Sequence, residues 1–198
     1  MENYAIMEYP ILCVVGDRGE GKTLTATALA YLYHTIDHQQ VISNYTIKNM
    51  DATKITFKEL YGLWQNLKDC VIVLDEVHIG ADAYNFFNKN VRDLTEFITQ
   101  LRKRHITLIM TTQRVQTLAK RLRDMIDYTL QCTKLNDSLI GIQVFNMRVP
   151  DDESFVKEFA IDGTQFYNWY DTDEIITLEK EPEKPKKAKV NKLANSQE

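Results

Sequence analysis

Residues 16–23 read Gly-Asp-Arg-Gly-Glu-Gly-Lys-Thr, which fits the spacing G-x-x-x-x-G-K-[ST] at every fixed position and directly follows the apolar run Ile11-Leu12-Cys13-Val14-Val15. A buried strand that turns sharply into a helix can curl its backbone N–H groups around a phosphate, and that is the chemistry this spacing serves. Gly16, Gly19 and Gly21 supply residues that tolerate the positive φ such a turn needs. The helix opening near Lys22 aims its free N–H groups and positive dipole end at the same point. Lys22 adds a mobile ammonium for β- and γ-phosphates, and the Thr23 hydroxyl can ligate Mg²⁺. The run expected to touch nucleotide is therefore Gly16, Asp17, Arg18, Gly19, Glu20, Gly21, Lys22, Thr23 and Leu24. The bland alternative is a glycine-rich turn with no ligand; the strand before, the helix after and the intact Lys-Thr pair speak against it.

A second constellation lies fifty residues on, where Val71-Ile72-Val73-Leu74 runs into Asp75-Glu76. Four aliphatics followed by two acids describe a fully buried parallel strand ending at a polar edge. In an α/β sheet, ligands lie outside the carboxyl ends of the strands, which is where these acids fall. The pair resembles a Walker B element: Asp75 would hold Mg²⁺ through water, and Glu76 would polarise the water that attacks the γ-phosphate. Two acids capping a surface turn is the plain alternative, weakened by the phosphate loop upstream. Ile106-Thr107-Leu108-Ile109-Met110-Thr111-Thr112-Gln113 is a further buried strand with a polar tip.

The elements that must position these groups follow from periodicity. Leu24, Ala28 and Leu32 repeat at helical spacing to about Ile36, and Val41–Ile47 is β-rich and reads as a strand. Thr56-Phe57-Lys58-Glu59 is a capping box opening a helix whose apolar residues Phe57, Leu60, Tyr61, Trp64 and Leu67 share a face, with Trp64 as core packing and no stacking platform. Residues 80–90 read as loop or short turns. Val91, Leu94, Phe97, Ile98 and Leu101 define an amphipathic helix ending in Arg102-Lys103-Arg104-His105, and Val115, Leu118 and Leu122 mark a basic helix carrying Lys120, Arg121 and Arg123. Strands at about 126–133 and 139–149, split by Asn136-Asp137-Ser138, form a hairpin closing one edge.

Composition bounds the rest. The chain has 198 residues, enough for one core, and 44% hydrophobic with 26% charged residues is an ordinary globular balance. A net charge of −4 confines any nucleic-acid site to a local patch. Cys13, Cys70 and Cys132 sit in or beside apolar runs with no C-x-x-C pair, and read as buried free thiols of a reducing compartment. His34 and His38, at i and i+4, have no third ligand nearby and read as a solvated helix end. No stretch reaches the ~18 apolar residues of a membrane span, and the start lacks a signal-peptide pattern. The expectation is a soluble, cytoplasmic protein. The expected domains are 1–178, an ATPase domain, and 179–198, a disordered Lys/Glu/Pro-rich tail whose lysines 184–192 read as solvated before they read as a partner site.

Alternating strands and helices imply an α/β fold: a three-layer P-loop NTPase (RecA/ASCE-like) with a mostly parallel sheet and an antiparallel edge hairpin. A strand over 41–47 between the two motifs, and Glu76 directly after the Mg²⁺-binding acid, resemble the additional-strand, catalytic-glutamate division of P-loop ATPases. That resemblance implies Gln113 as a polar sensor on a strand between the two. Over about residues 9–178, the runs 71–78, 101–105 and 108–114, and the closing Trp169-Tyr170-Asp171-Thr172-Asp173-Glu174, are similar to the zonular occludens toxin (Zot) family of phage ATPases, itself similar to the FtsK/HerA class of DNA-packaging motors. The resemblance implies ATP and Mg²⁺ as ligands, a homo-oligomeric ring with a hexamer favoured, double-stranded DNA as partner, and a portal or capsid-vertex protein as a further one. It also implies an arginine reaching the neighbouring subunit's γ-phosphate, from Arg102 or Arg104 and less so from Arg114, against the plain reading of Arg102, Lys103 and Arg104 as a helix cap. Zot-family morphogenesis proteins usually carry a membrane span after the ATPase domain; its absence here favours a soluble motor.

Two functions stay open on this reading: an ATPase motor that packages or translocates DNA, and an assembly ATPase that acts on protein partners. Asp75-Glu76-Val77-His78 also fits the D-E-x-H of helicases, which need two tandem cores, and small-molecule kinases lack a use for the Glu76 base.

Overall fold

The computed structural model describes residues 8–81, 95–150 and 153–176. Eight strands form one sheet: β1 (Ile11–Val15), β2 (Gln40–Ser43), β3 (Ala52–Lys54), β4 (Cys70–Leu74), β5 (Ile106–Thr112), β6 (Tyr128–Lys134), β7 (Leu139–Asn146) and β8 (Phe155–Asp162). Their spatial order is β3-β2-β4-β5-β1-β6-β7-β8. Pairings from β3 through β6 are parallel, and β6-β7-β8 is an antiparallel meander. β5, the strand expected to carry the polar sensor, therefore lies between β1 and β4, with Val15 opposite Thr112 and Leu74 opposite Met110.

Parallel strands need crossover connections, usually helical, and here helices cover both faces of the sheet. α1 (Lys22–Ile36) covers one, beside Leu12, Val14, Val41, Val71, Val73 and Ile109. α2 (Phe57–Leu63), the 3₁₀ turn Trp64–Asn66, and Phe97, Ile98 and Leu101 cover the other, against Cys13, Ile72, Leu74, Leu108 and Met110. The capping box on α2 forms as expected: Thr56 Oγ1 accepts from Glu59 N at 3.2 Å and Glu59 Oε2 accepts from Thr56 N at 2.9 Å.

Several elements differ from the sequence reading. The buried side of α1 is built from Leu24, Ala26, Ala28 and Ala30, while Leu32 is exposed; small residues let the helix lie close on the sheet. The strand expected over 41–47 stops at Ser43: the Asn44 N–H still donates to the Val73 carbonyl at 3.2 Å, but the Tyr45 N–H turns back to the Ser43 hydroxyl, also at 3.2 Å. The single basic helix is two separate turns, Val115–Thr117 and Lys120–Arg123, with Leu118 and Ala119 extended between them. The Thr117 hydroxyl donates to the Arg114 carbonyl at 2.7 Å, and such local side-chain bonds compete with helix continuation. β3 and β8 were not anticipated; the expected hairpin is the first two strands of a three-stranded meander. Residues 82–90 of the expected loop, the start of the helix at 91–94, and the tail at 179–198 lie outside the described residues.

Candidate nucleotide site

The phosphate loop takes the conformation its glycines allow. Gly16, Gly19 and Gly21 all have positive φ, at 155°, 82° and 85°. Gly21 is constrained twice over, since a Cβ there would sit 2.2 Å from Ile140 Cδ1 on β7. Lys22 Nζ donates to the Asp17 carbonyl at 2.9 Å, so its ammonium is folded back over the loop beneath which a phosphate would sit. Glu20 accepts the Lys134 backbone N–H, tying the loop to the end of β6.

The acids stand where the sheet order puts them. Thr23 Oγ1 lies 3.2 and 3.1 Å from the two oxygens of Asp75, and the Thr111 hydroxyl of β5 also donates to Asp75. Burial pushes the Asp75 carboxyl above its usual range, and the hydroxyls of Thr111 and Thr23 and the Lys22 charge only partly oppose this. A hydroxyl and a desolvated carboxylate at this spacing form a hard-oxygen pair, which suits Mg²⁺ that keeps most of its waters. Glu76 turns out of β4 at φ 51°, an uncommon backbone for a non-glycine residue, held by its N–H on Thr111 Oγ1 at 3.0 Å. Its carboxylate meets His78 Nδ1 at 3.2 Å.

Lys22, Thr23, Asp75, Glu76, His78 and Gln113 all line one cleft of about 620 Å³, which also takes in Arg18, Gly19 and Gly21. Asp17, Glu20 and Gln113 also line an adjoining groove that contains Arg114. Arg102 and Arg104 are not brought to this place. Both precede β5 and so lie at the opposite edge of the sheet. Arg102 Nη2 donates to Asp127 Oδ1 at 3.3 Å. Arg104 Nη1 donates to the carbonyls of Gln65 and Leu67 at 2.5 and 3.3 Å, and its guanidinium lies 5.3 Å from the Trp64 ring centroid. Arg104 thus caps the end of the α2 segment rather than of its own helix.

Sequence reasoning missed the groups that hold the acids. The Asn44 side chain bonds the Asp75 backbone in both senses, donating to its carbonyl at 2.8 Å and accepting from its N–H at 2.7 Å. Asn44 directly follows β2, inside the stretch the sequence reads as continuous strand, so nothing local marks it. Thr111 sits two residues before Gln113 on the same polar tip. The three cysteines are buried free thiols, as expected, and burial pushes Cys13 and Cys70 up to about 12 and Cys132 to about 11.

Fold and site together define a P-loop nucleoside-triphosphatase of the α/β kind, with an acid pair at the end of β4, the strand beyond β5. Residues 12–134 match the model of the ATPase family associated with various cellular activities (AAA), and the chain belongs to that family: it is an ATP-binding NTP hydrolase. Solved structures extend the likeness in fold. The N-terminal domain of zonular occludens toxin from Neisseria meningitidis superposes with a TM-score of 0.65 at 14% identity, over 83% of this chain and all of that one (100%). The genome packaging NTPase B204 from Sulfolobus turreted icosahedral virus 2, in complex with ATP-gammaS, gives 0.56 at 12% identity over 77% of this chain and 98% of that one. The B204 DNA-packaging ATPase from Sulfolobus turreted icosahedral virus gives 0.56 at 13% identity, with the same 77% and 98% coverage. No curated protein matches the chain. Among the described residues, no helix is long and apolar enough to cross a membrane.

Proposed function

We propose that the protein is an ATP-hydrolysing motor that packages or translocates double-stranded DNA, working in the host cytoplasm and against a portal or capsid-vertex protein. The observation that carries this reading is the convergence of Lys22, Thr23, Asp75, Glu76 and Gln113 on one cleft at the carboxyl ends of β1, β4 and β5. Thr23 and Asp75 would hold Mg²⁺, which would supply positive charge to the phosphates. Lys22 leaves the Asp17 carbonyl for the β- and γ-oxygens, Glu76 leaves His78 to orient and deprotonate the attacking water, and Gln113 reads the γ-position. Likeness to packaging NTPases supports DNA as the polymer.

The transition state gathers charge that one lysine and one metal ion neutralise only in part, so a homo-oligomeric ring, a hexamer by preference, supplies an arginine in trans. We assign it to Arg114 ahead of Arg102 and Arg104. Arg114 is exposed beside Gln113, and its side chain has no hydrogen-bond partner among the described residues. Mixing Glu76→Gln with Arg114→Ala protein should restore hydrolysis in mixed rings, whereas mixing Glu76→Gln with Arg104→Ala should add nothing beyond the Arg104→Ala rate. No recovery in the first mixture, with rings confirmed by sedimentation, removes Arg114 from the role.

A second reading is an assembly ATPase acting on protein partners, favoured by the larger share of the chain that superposes on the zonular occludens toxin domain. ATP hydrolysis with and without double-stranded DNA at fixed salt separates the two. Stimulation supports the motor, and indifference supports the assembly factor.

A further inference from the structure

Beyond β2 the backbone leaves the sheet and runs irregularly to β3. Asn44 opens this stretch with its side chain clamped on the Asp75 backbone, so the position of Asn44 decides where Asp75 stands against Thr23. Two amides just downstream find their partners far away in sequence. Thr46 N donates to Glu174 Oε2 at 2.9 Å and its hydroxyl to Oε1 at 3.2 Å, while Lys48 N donates to the Trp169 carbonyl at 2.5 Å. Lys54 of β3 donates to the same Glu174 carboxylate. Trp169 is itself anchored, with its ring 5.1 Å from Tyr31 of α1 and 5.1 Å from Phe166. Of the residues between the two anchors, Tyr170, Asp171 and Thr172 line the nucleotide cleft, and Glu174 itself lies at its wall.

We propose that Glu174 is a positioning residue for the Mg²⁺-binding acid: with Trp169 it straps residues 44–48 to the core, so that Asn44 holds Asp75 in register with Thr23. The role of Asp75 rests on the ATPase site proposed above; the strap itself does not. The chemistry suits a permanent tie. Burial works against the Glu174 charge, but Lys54 and the Thr46 N–H and hydroxyl outweigh it and hold the carboxyl below its usual range. Groups that orient a metal's ligands without touching the metal typically cost one to two orders of magnitude in affinity or activity when removed, about 10- to 100-fold. Glu174 acts through an intervening segment and belongs at the lower end.

The test uses the full chain carrying Glu174→Ala or Glu174→Gln, the second keeping an acceptor for Thr46 N but losing the Lys54 charge partner. The first readout needs no nucleotide: hydrogen exchange at the Asp75 amide, which Asn44 protects. Exchange there should quicken about tenfold in Glu174→Ala and less in Glu174→Gln, with amides in the middle of β5 unchanged. The second is ATP-gammaS affinity: the Mg²⁺ half-saturation should rise about tenfold in Glu174→Ala, with affinity in EDTA unaltered. Unchanged exchange at Asp75, or an equal rise at β5 and Asp75 alike, overturns the strap. A wild type whose ATP-gammaS binding ignores Mg²⁺ overturns the site reading instead, and leaves the Asp75 exchange contrast to decide the strap.

Discussion

Asp75 and Asp127 are both buried carboxylates at the ends of sheet strands, and their surroundings differ in one respect. Asp127, at the amino-terminal edge, accepts from Ile11 N at 2.8 Å, Arg148 Nε at 2.9 Å and Arg102 Nη2 at 3.3 Å. Its charge is answered by two guanidinium groups. Asp75, at the carboxyl edge, accepts from the neutral hydroxyls of Thr23 and Thr111, and its nearest cation, Lys22, donates to a loop carbonyl. At one edge the charged residues are consumed in holding the fold together. At the other, Asp75 meets neutral hydroxyls while Lys22 is bonded to the loop, and both would be free to answer a metal–nucleotide complex. Arg104 follows the same division, committed to two carbonyls and a tryptophan face, while Arg114, ten residues later and across the sheet, stays exposed.

The contrast breaks hardest at the phosphate loop. Lys22→Ala should abolish nucleotide binding, because no other described cation lines the cleft close to the turn except exposed Arg18; titration with a fluorescent ATP analogue reads it. Next come the two aspartates, with opposite signs. Asp127→Ala orphans a backbone N–H and leaves two arginines side by side, and should cost about 3 kcal/mol, a fall of roughly 10 °C in melting midpoint at this size. Asp75→Asn should melt at or above wild type, since the amide escapes the burial that raises the acid's pKa, while losing Mg²⁺-dependent hydrolysis. Thermal melts of both variants decide whether the edges differ as described. A smaller effect belongs to Arg104→Ala, about 1 kcal/mol from the lost cap and cation–π contact, with hydrolysis by the folded protein retained. Smallest is the thiol test. With pKa values raised to about 11 and 12 by burial, Cys13, Cys70 and Cys132 should resist alkylation at pH 8 until the chain is unfolded.

What the sequence disclosed divides along the same line. The phosphate loop and the Asp75-Glu76 pair are local: their geometry is set within a strand–turn–helix or a strand end, so residue types at fixed spacing suffice. Asn44, Thr111 and Glu174 reach the site only through sheet order, at separations of 31, 36 and 128 residues from the groups they bond, and no spacing rule announces them. Arg102 and Arg104 lie away from their own chain's cleft for the converse reason. They stand just before the sensor strand in sequence, but a strand's two ends lie at opposite edges of the sheet. β3 is too short for a period to show, and β8, Phe-Val-Lys-Glu-Phe-Ala-Ile-Asp, is an outer strand exposed on both faces, so its apolar and charged residues do not alternate cleanly.

The most direct test pairs two measurements on Glu76→Gln: equilibrium affinity for Mg-ATP and phosphate release at saturating Mg-ATP. Glu76 pairs with His78 and stands apart from the Thr23–Asp75 hydrogen bond, so affinity should match wild type, while loss of the group that activates water should slow release by about 10²-fold or more. Turnover equal to wild type at equal affinity would contradict the assignment of this edge as the hydrolytic centre.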